Sequence, residues 1–80
     1  MQNIDMGADA LECFLQLFLH GPTWDGNIVS KAGRAELFRR EYAARENGWT
    51  YLTKAGMQVA LGIGLDAEKE KWERKRRRAA

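Results

Sequence analysis

Positive charge is missing from the first thirty positions, which hold Asp5, Asp9, Glu12 and Asp25 but neither Lys nor Arg. The 80-residue chain also has only one Cys, one His and one Pro. A lone thiol, Cys13, excludes an internal disulfide and fits a reducing compartment. A lone imidazole, His20, leaves little room for general acid–base chemistry, and no Ser, His and acid grouping has the spacing of a triad. No zinc-type ligand set is present. Gly62-Ile63-Gly64 is too short to be a phosphate-binding glycine loop. Long apolar runs are lacking too. The most apolar stretch, Leu11 to Leu19, falls far short of the roughly 20 residues that cross a bilayer. It has no basic segment before it and no clear small-residue cleavage site after it, so it does not read as a signal peptide. These absences predict a cytoplasmic, non-enzymatic protein without cofactor, metal or membrane.

What is present is ordinary globular composition, 45% hydrophobic and 30% charged. A chain of this length makes one domain and buries about 60–65% of the surface its unfolded form exposes. It has room for one small core and little for a deep cleft. The net charge of +2 conceals an asymmetry. Residues 31–54 carry Lys31, Arg34, Arg39, Arg40, Arg45 and Lys54 against Glu36, Glu41 and Glu46, and residues 66–80 carry seven basic residues against four acidic ones. An acidic end and a basic remainder form two electrostatic faces or a plain solubilising surface.

Helical spacing of Ala8, Leu11, Leu15, Phe18 and Leu19 predicts a first helix beginning between Met6 and Ala10. Asp9 and Glu12 have capping-box spacing. Phe14 and Leu17 widen the stripe, so this helix is buried on most sides or covered by a second chain. His20-Gly21-Pro22 ends it. Residues 21–29 are a connector rich in turn formers, with Asp25-Gly26 as a turn signal and Ile28-Val29 as a very short strand or the remnant of a helix. Ser30 caps a second helix near Lys31 to Arg40, with Ala35, Leu37 and Phe38 inward and Lys31, Arg34 and Arg39 outward. Gly33 is out of place in a helix, where it costs about 1 kcal/mol relative to Ala, and it suggests close approach of two backbones.

Asn47-Gly48 between extended runs predicts a two-residue type I′ hairpin. Glu46 then faces Trp49, Arg45 faces Thr50 and Ala44 faces Tyr51, with Trp49 and Tyr51 on one face of the sheet and Leu52 on the other. Thr53 caps a helix at about Lys54 to Leu61, with Met57, Ala60 and Leu61 inward. Asp66 caps a last, basic helix, supported by Glu70/Arg74 and Glu73/Arg77 pairs, on which Trp72 is the one large apolar residue. No internal repeat is apparent. Trp24, Trp49 and Trp72 read first as core or interface anchors, and second as stacking platforms for bases. Cys13 and His20, seven apart, read as a buried thiol and a helix-terminal imidazole rather than as metal ligands shared across a dimer.

With Ser30-Lys31, Arg34 and Leu37 on a basic helix, Asn47-Gly48 at a hairpin tip and Tyr51-Leu52-Thr53-Lys54-Ala55-Gly56 at a strand-to-helix junction, the chain resembles the winged helix-turn-helix family. Within it, the likeness is to small bacterial regulators of the multiple-antibiotic-resistance and PadR-like type, where the last strand often ends in Leu-Thr, two residues and Gly. The resemblance covers about half the chain. It implies a mainly α fold with a small β-hairpin, a winged helix-turn-helix-like domain over 1–65, and a basic helix or tail over 66–80. It further implies a DNA-binding regulator or accessory protein, with Lys31, Arg34, Arg39, Arg40, Arg45 and Lys54 meeting double-stranded DNA and the first or last helix forming a homodimer. The alternative is a protein–protein interaction module on the same fold, an adaptor or inhibitor such as a mobile element carries, with Trp72, Arg74 and Arg77 meeting the partner.

Overall fold

A computed structural model describes residues 6–65 together with Glu70, Lys71, Glu73 and Arg74. The described elements are α1 (Ala8–His20), β1 (Thr23–Trp24), a 3-10 turn (Asp25–Asn27), α2 (Lys31–Arg39), β2 (Ala43–Glu46), β3 (Trp49–Leu52) and α3 (Lys54–Gly62). The strands form one antiparallel sheet in the order β1-β3-β2. The fold is therefore mainly α, with a hairpin extended to three strands by β1.

The apolar stripe of α1 supplies most of the core. Ala10, Cys13, Phe14, Leu17 and Phe18 are buried there, joined by Leu37 of α2, Ala43 of β2, Ala60 of α3 and Leu65. The capping-box reading of Asp9 is corrected. The helix starts at Ala8, two residues earlier than an Asp9 cap would give, behind Gly7, and no side chain caps it. The Gly7 N–H instead points at the Glu36 carboxylate of α2, at 3.4 Å. Gly21 closes the helix, its N–H donating to the Leu17 carbonyl.

The connector is held by a residue that carries no sequence signal. Gln16 on α1 donates its side-chain amide to the Asn27 carbonyl at 2.6 Å, and its amide oxygen accepts from the Val29 N–H at 3.0 Å. Ile28-Val29 is neither strand nor α-helix. The strand lies earlier, where Thr23 pairs with Thr50 and Trp24 with Trp49. Those pairings join segments far apart in sequence, so no local periodicity announces them.

Two helices begin in the same way. The Ser30 hydroxyl accepts from the Gly33 N–H at 2.9 Å, and the Thr53 hydroxyl accepts from the Gly56 N–H at 3.1 Å. Between cap and glycine stands Lys-Ala in both cases, so the two helices share a four-residue start: Ser30-Lys31-Ala32-Gly33 and Thr53-Lys54-Ala55-Gly56. Each glycine is buried against a neighbouring backbone, Gly33 on Asp9 and Ala10 of α1, and Gly56 on Tyr42. The close approach suggested by Gly33 is thus seen, and Gly56 shares it. Thr53 does more than cap. Its hydroxyl donates to the Glu41 carbonyl at 2.7 Å, and its N–H donates to the Tyr42 carbonyl at 3.0 Å. Glu41, at φ 62°, ends α2 in a left-handed turn in which the Tyr42 N–H donates to the Leu37 carbonyl, the pattern of a Schellman motif.

The hairpin turns at Asn47 and Gly48, with φ of 52° and 85°, and pairs Glu46 with Trp49, Arg45 with Thr50 and Ala44 with Tyr51, in the register read from sequence. The core side of the sheet is the face that carries Thr50 and Ala43. Two helix faces differ from expectation. Ala35 is exposed, and Met57 and Leu61 are 40% and 54% exposed. In both helices the packed side starts at the glycine and continues one turn on, Gly33 with Leu37 in α2 and Gly56 with Ala60 in α3, which turns Ala35 away from the core and leaves Met57 and Leu61 on the flanks of α3.

Among the described residues, no helix is long and apolar enough to cross a membrane. Of the basic C-terminal helix, Glu70, Lys71, Glu73 and Arg74 are described, all helical, with Arg74 bridging Glu70 at 2.6 Å. Asp66, Trp72 and Arg77 lie outside the described residues.

Candidate nucleic-acid interface

α2 shows solvent a stripe made of Lys31, Ala32, Ala35 and Arg39, all exposed. At 100° per residue these positions fall within one quadrant or so of the helix. Lys31 and Arg39 make no ion pair with a described residue, and neither does Lys54 at the start of α3. They are the free cations among the six sequence-derived candidates.

The other three are engaged. Arg40 donates to Glu36 at 3.1 Å, one helical turn back. Arg34 and Arg45 converge on one carboxylate. Arg34 donates to Asp25 Oδ1 at 2.9 Å, and Arg45 donates through Nε at 3.0 and 3.1 Å to both oxygens and through Nη2 to Oδ2 at 2.6 Å. Arg34 is therefore not an outward side chain. It is 16% exposed, its guanidinium lies 5.7 Å from the Phe38 ring centre, and it closes the space between α2 and the 3-10 turn. Arg45 remains half exposed at 51%. The cluster has two cations and one anion, so it keeps a net positive charge near the tip of the hairpin. It also fastens three elements together: α2 through Arg34, β2 through Arg45, and the turn through Asp25. A backbone bond from the Asp25 N–H to the Gly48 carbonyl, 2.9 Å, ties the same turn to the hairpin tip. Sequence reading took Asp25 as a turn former only; its acidic side chain among unpaired arginines was the signal available.

The electrostatics of the cluster are measurable. Hydrogen bonds from Arg45 hold the Asp25 carboxyl below its ordinary value, aided by the charges of both arginines and opposed by partial desolvation, while Arg45 is pushed further up. A folded-state pKa depressed in this way contributes stability that is present above the unfolded aspartate value of about 3.9 and lost as pH falls through the folded value. An NMR titration is expected to place Asp25 below ordinary aspartates, and Arg45→Ala to move it upward. An unshifted Asp25 in the wild type would show that the cluster does not form in solution.

Of the tryptophans expected to be core or interface anchors, Trp24 and Trp49 lie outside the core. Trp24 and Trp49 are 47% and 46% exposed and pack edge to face, with ring centres 5.4 Å apart and planes at 63°. They sit on the outer face of the sheet, opposite Thr50, and the Trp24 ring lies over Gly48 of the turn. Cys13 is sealed in the core, where burial pushes its thiol pKa up against the opposing pull of Arg34. His20 is exposed at the end of α1. Among the described residues no group of three His, Cys, Asp or Glu side chains is gathered as a metal site. Of the candidate partner-binding set, Arg74 is turned to Glu70, and Trp72 and Arg77 lie outside the described residues.

No family model, no curated protein and no solved structure matches this chain.

Proposed function

We propose that the chain is a reduced winged helix-turn-helix protein that binds duplex DNA and has no catalytic role. On this reading it acts in the cytoplasm as a small regulator or accessory protein. The observation that carries the proposal is the outward stripe of α2, with Lys31 and Arg39 free at its two ends and Ala32 and Ala35 between them. Small side chains let a helix sink into a major groove and touch thymine methyl groups, while the flanking cations meet phosphates. The strand order supports this reading. β1 and β2 flank β3, and α2 runs between β1 and β2 in the chain, the place of a recognition helix before its wing. The helix that would precede α2 is shortened to the 3-10 turn at Asp25–Asn27, and the Arg34–Asp25–Arg45 cluster does its bracing work. Residues 66–80, with their cationic excess, add non-specific phosphate affinity.

Anisotropy titration of a labelled duplex at low and moderate salt tests the proposal. Binding is expected at low salt, weakening as salt rises. Lys31→Ala and Arg39→Ala are each expected to lower the affinity and to reduce the salt slope by about one. No binding at low salt rejects the proposal. A second reading, a protein-interaction module, draws its support from the exposed Trp24–Trp49 pair and from the neutralisation of Arg40 by Glu36. It predicts a contact that moderate salt leaves intact.

A further inference from the structure

The Arg34–Asp25–Arg45 cluster is unevenly built. One carboxylate takes two arginines, where bracing α2 against the turn needs one. Arg34 is the mostly buried member, held over the Phe38 ring and joined to Asp25 by a single hydrogen bond at 2.9 Å. Arg45 is the open member. It is half exposed, it uses its Nε and Nη2 donors on Asp25, and it makes no other ion pair with a described residue. A guanidinium fork matches a phosphate as it matches a carboxylate, by two parallel N–H bonds. Asp25 therefore occupies the donors of Arg45 that a phosphate would use.

Arg45 reaches Asp25 across the sheet. It stands on β2, one edge of the order β1-β3-β2, and Asp25 follows Trp24 at the end of β1, the other edge. Arg45 lies opposite Thr50, and Thr50 lies opposite Thr23. Residues paired in this way share a face, so the Arg45 side chain passes β3 on the core side, where Thr50 points. The Thr50 hydroxyl is fully buried there and has no hydrogen-bond partner among the described residues. A buried hydroxyl in that state costs stability. The inward position of Arg45 is thus held by Asp25 alone and carries a penalty beneath it. Release of Arg45 does not orphan the carboxylate, because Arg34 still neutralises it. The turn also stays tied to the hairpin, through the Asp25 N–H and the Gly48 carbonyl at 2.9 Å.

We infer that Asp25 is a built-in stand-in for phosphate on Arg45, and that Arg45 trades it for a backbone phosphate when the protein meets a duplex. The inference rests on the duplex-binding reading and adds a latch to it. In the free protein Asp25 keeps Arg45 folded inward. In the bound protein Arg45 turns out, Arg34 keeps Asp25 neutral, and water reaches Thr50. A phosphodiester and a carboxylate carry the same single charge, so Arg45 has a counter-charge in either position.

Anisotropy titrations on one labelled duplex at moderate salt compare wild type, Asp25→Asn, Arg45→Ala and the double variant, each checked for its fold by circular dichroism. Asp25→Asn is expected to tighten binding about two- to fivefold, the range set by a solvent-exposed ion pair. With Arg45 already replaced by Ala, the same change is expected to have little effect, because Arg34 neutralises Asp25 and salt screens the remainder. An equal gain in both backgrounds overturns the inference in favour of plain repulsion between Asp25 and DNA. Weaker binding by Asp25→Asn overturns it in favour of bracing alone. Both of those outcomes leave duplex binding standing, whereas absence of binding by all four proteins removes the reading and the inference together. NMR of the wild type needs no variant to fold. Saturating duplex is expected to shift the Arg45 Nε–H and the Asp25 carboxyl resonances together. If both stay where they are in the free protein, Arg45 has not let go and the latch does not exist.

Discussion

Gly33→Ala is expected to lower the melting temperature by roughly 8–16 °C, the shift that about 2 kcal/mol produces in a domain of this size. A methyl group at Gly33 would fall inside contact distance of the Asp9 carbonyl and 2.9 Å from the Ala10 nitrogen, both backbone atoms of α1. Backbone atoms cannot rotate aside, so the two helices must separate. Separation opens the core where Leu37 meets the α1 stripe, residues that are 0% to 6% exposed. Overpacking of this kind costs about 1–3 kcal/mol and sometimes more. Alanine's better helix propensity returns only about 1 kcal/mol. Against a total stability of about 4–12 kcal/mol for a chain this long, the loss is severe. The neighbouring exposed Ala32 provides the control, since a surface change there should stay within about 0.5 kcal/mol. A Gly33→Ala protein that melts within a degree or two of wild type would show that α1 and α2 do not approach this closely.

Gly56→Ala is expected to do comparable damage at the other end of the molecule, with a different signature. The added methyl would collide with the Tyr42 carbonyl. That carbonyl accepts from the Thr53 N–H, and the Thr53 hydroxyl in turn serves Glu41 and Gly56. Displacing Tyr42 therefore breaks the junction between β3 and α3 and frees Ala60 from the core. Hydrogen exchange should show lost protection at the Thr53 and Gly56 amides first, with α1 and α2 still protected. Uniform loss across the protein, or none at the junction, would contradict this arrangement.

Both predictions rest on positions where sequence and structure speak unequally. The hairpin was legible to the residue because Asn47-Gly48 selects one turn type, and that turn sets the register of everything beside it. The caps at Ser30 and Thr53 were legible because a hydroxyl ahead of a helix has one dominant use. Gly33 stood out as a cost without a visible return. The return, contact with α1, needs the tertiary fold to be seen. Met57 and Leu61 misled because apolarity is the usual guide to burial, whereas α3 packs through its smallest residues. β1 has two residues and no pattern of its own; only its pairing with β3 makes it a strand. Asp25 lies nine positions from Arg34 and twenty from Arg45. No local rule selects those partners among so many charges, so the residue that braces the candidate interface went unread. Lys31 and Arg39 were legible as outward cations, because a capped amphipathic helix orients its own faces.

Edge-to-face indoles at 5.4 Å have optical transitions that couple. The far-ultraviolet dichroism of this protein is therefore expected to contain an exciton couplet from Trp24 and Trp49. It exists only while β1 is zipped to β3, and it vanishes on a Trp24→Phe change that leaves the helical signal alone. Such a couplet would be a label-free reporter of β1 docking on β3, readable during folding or on titration with a ligand.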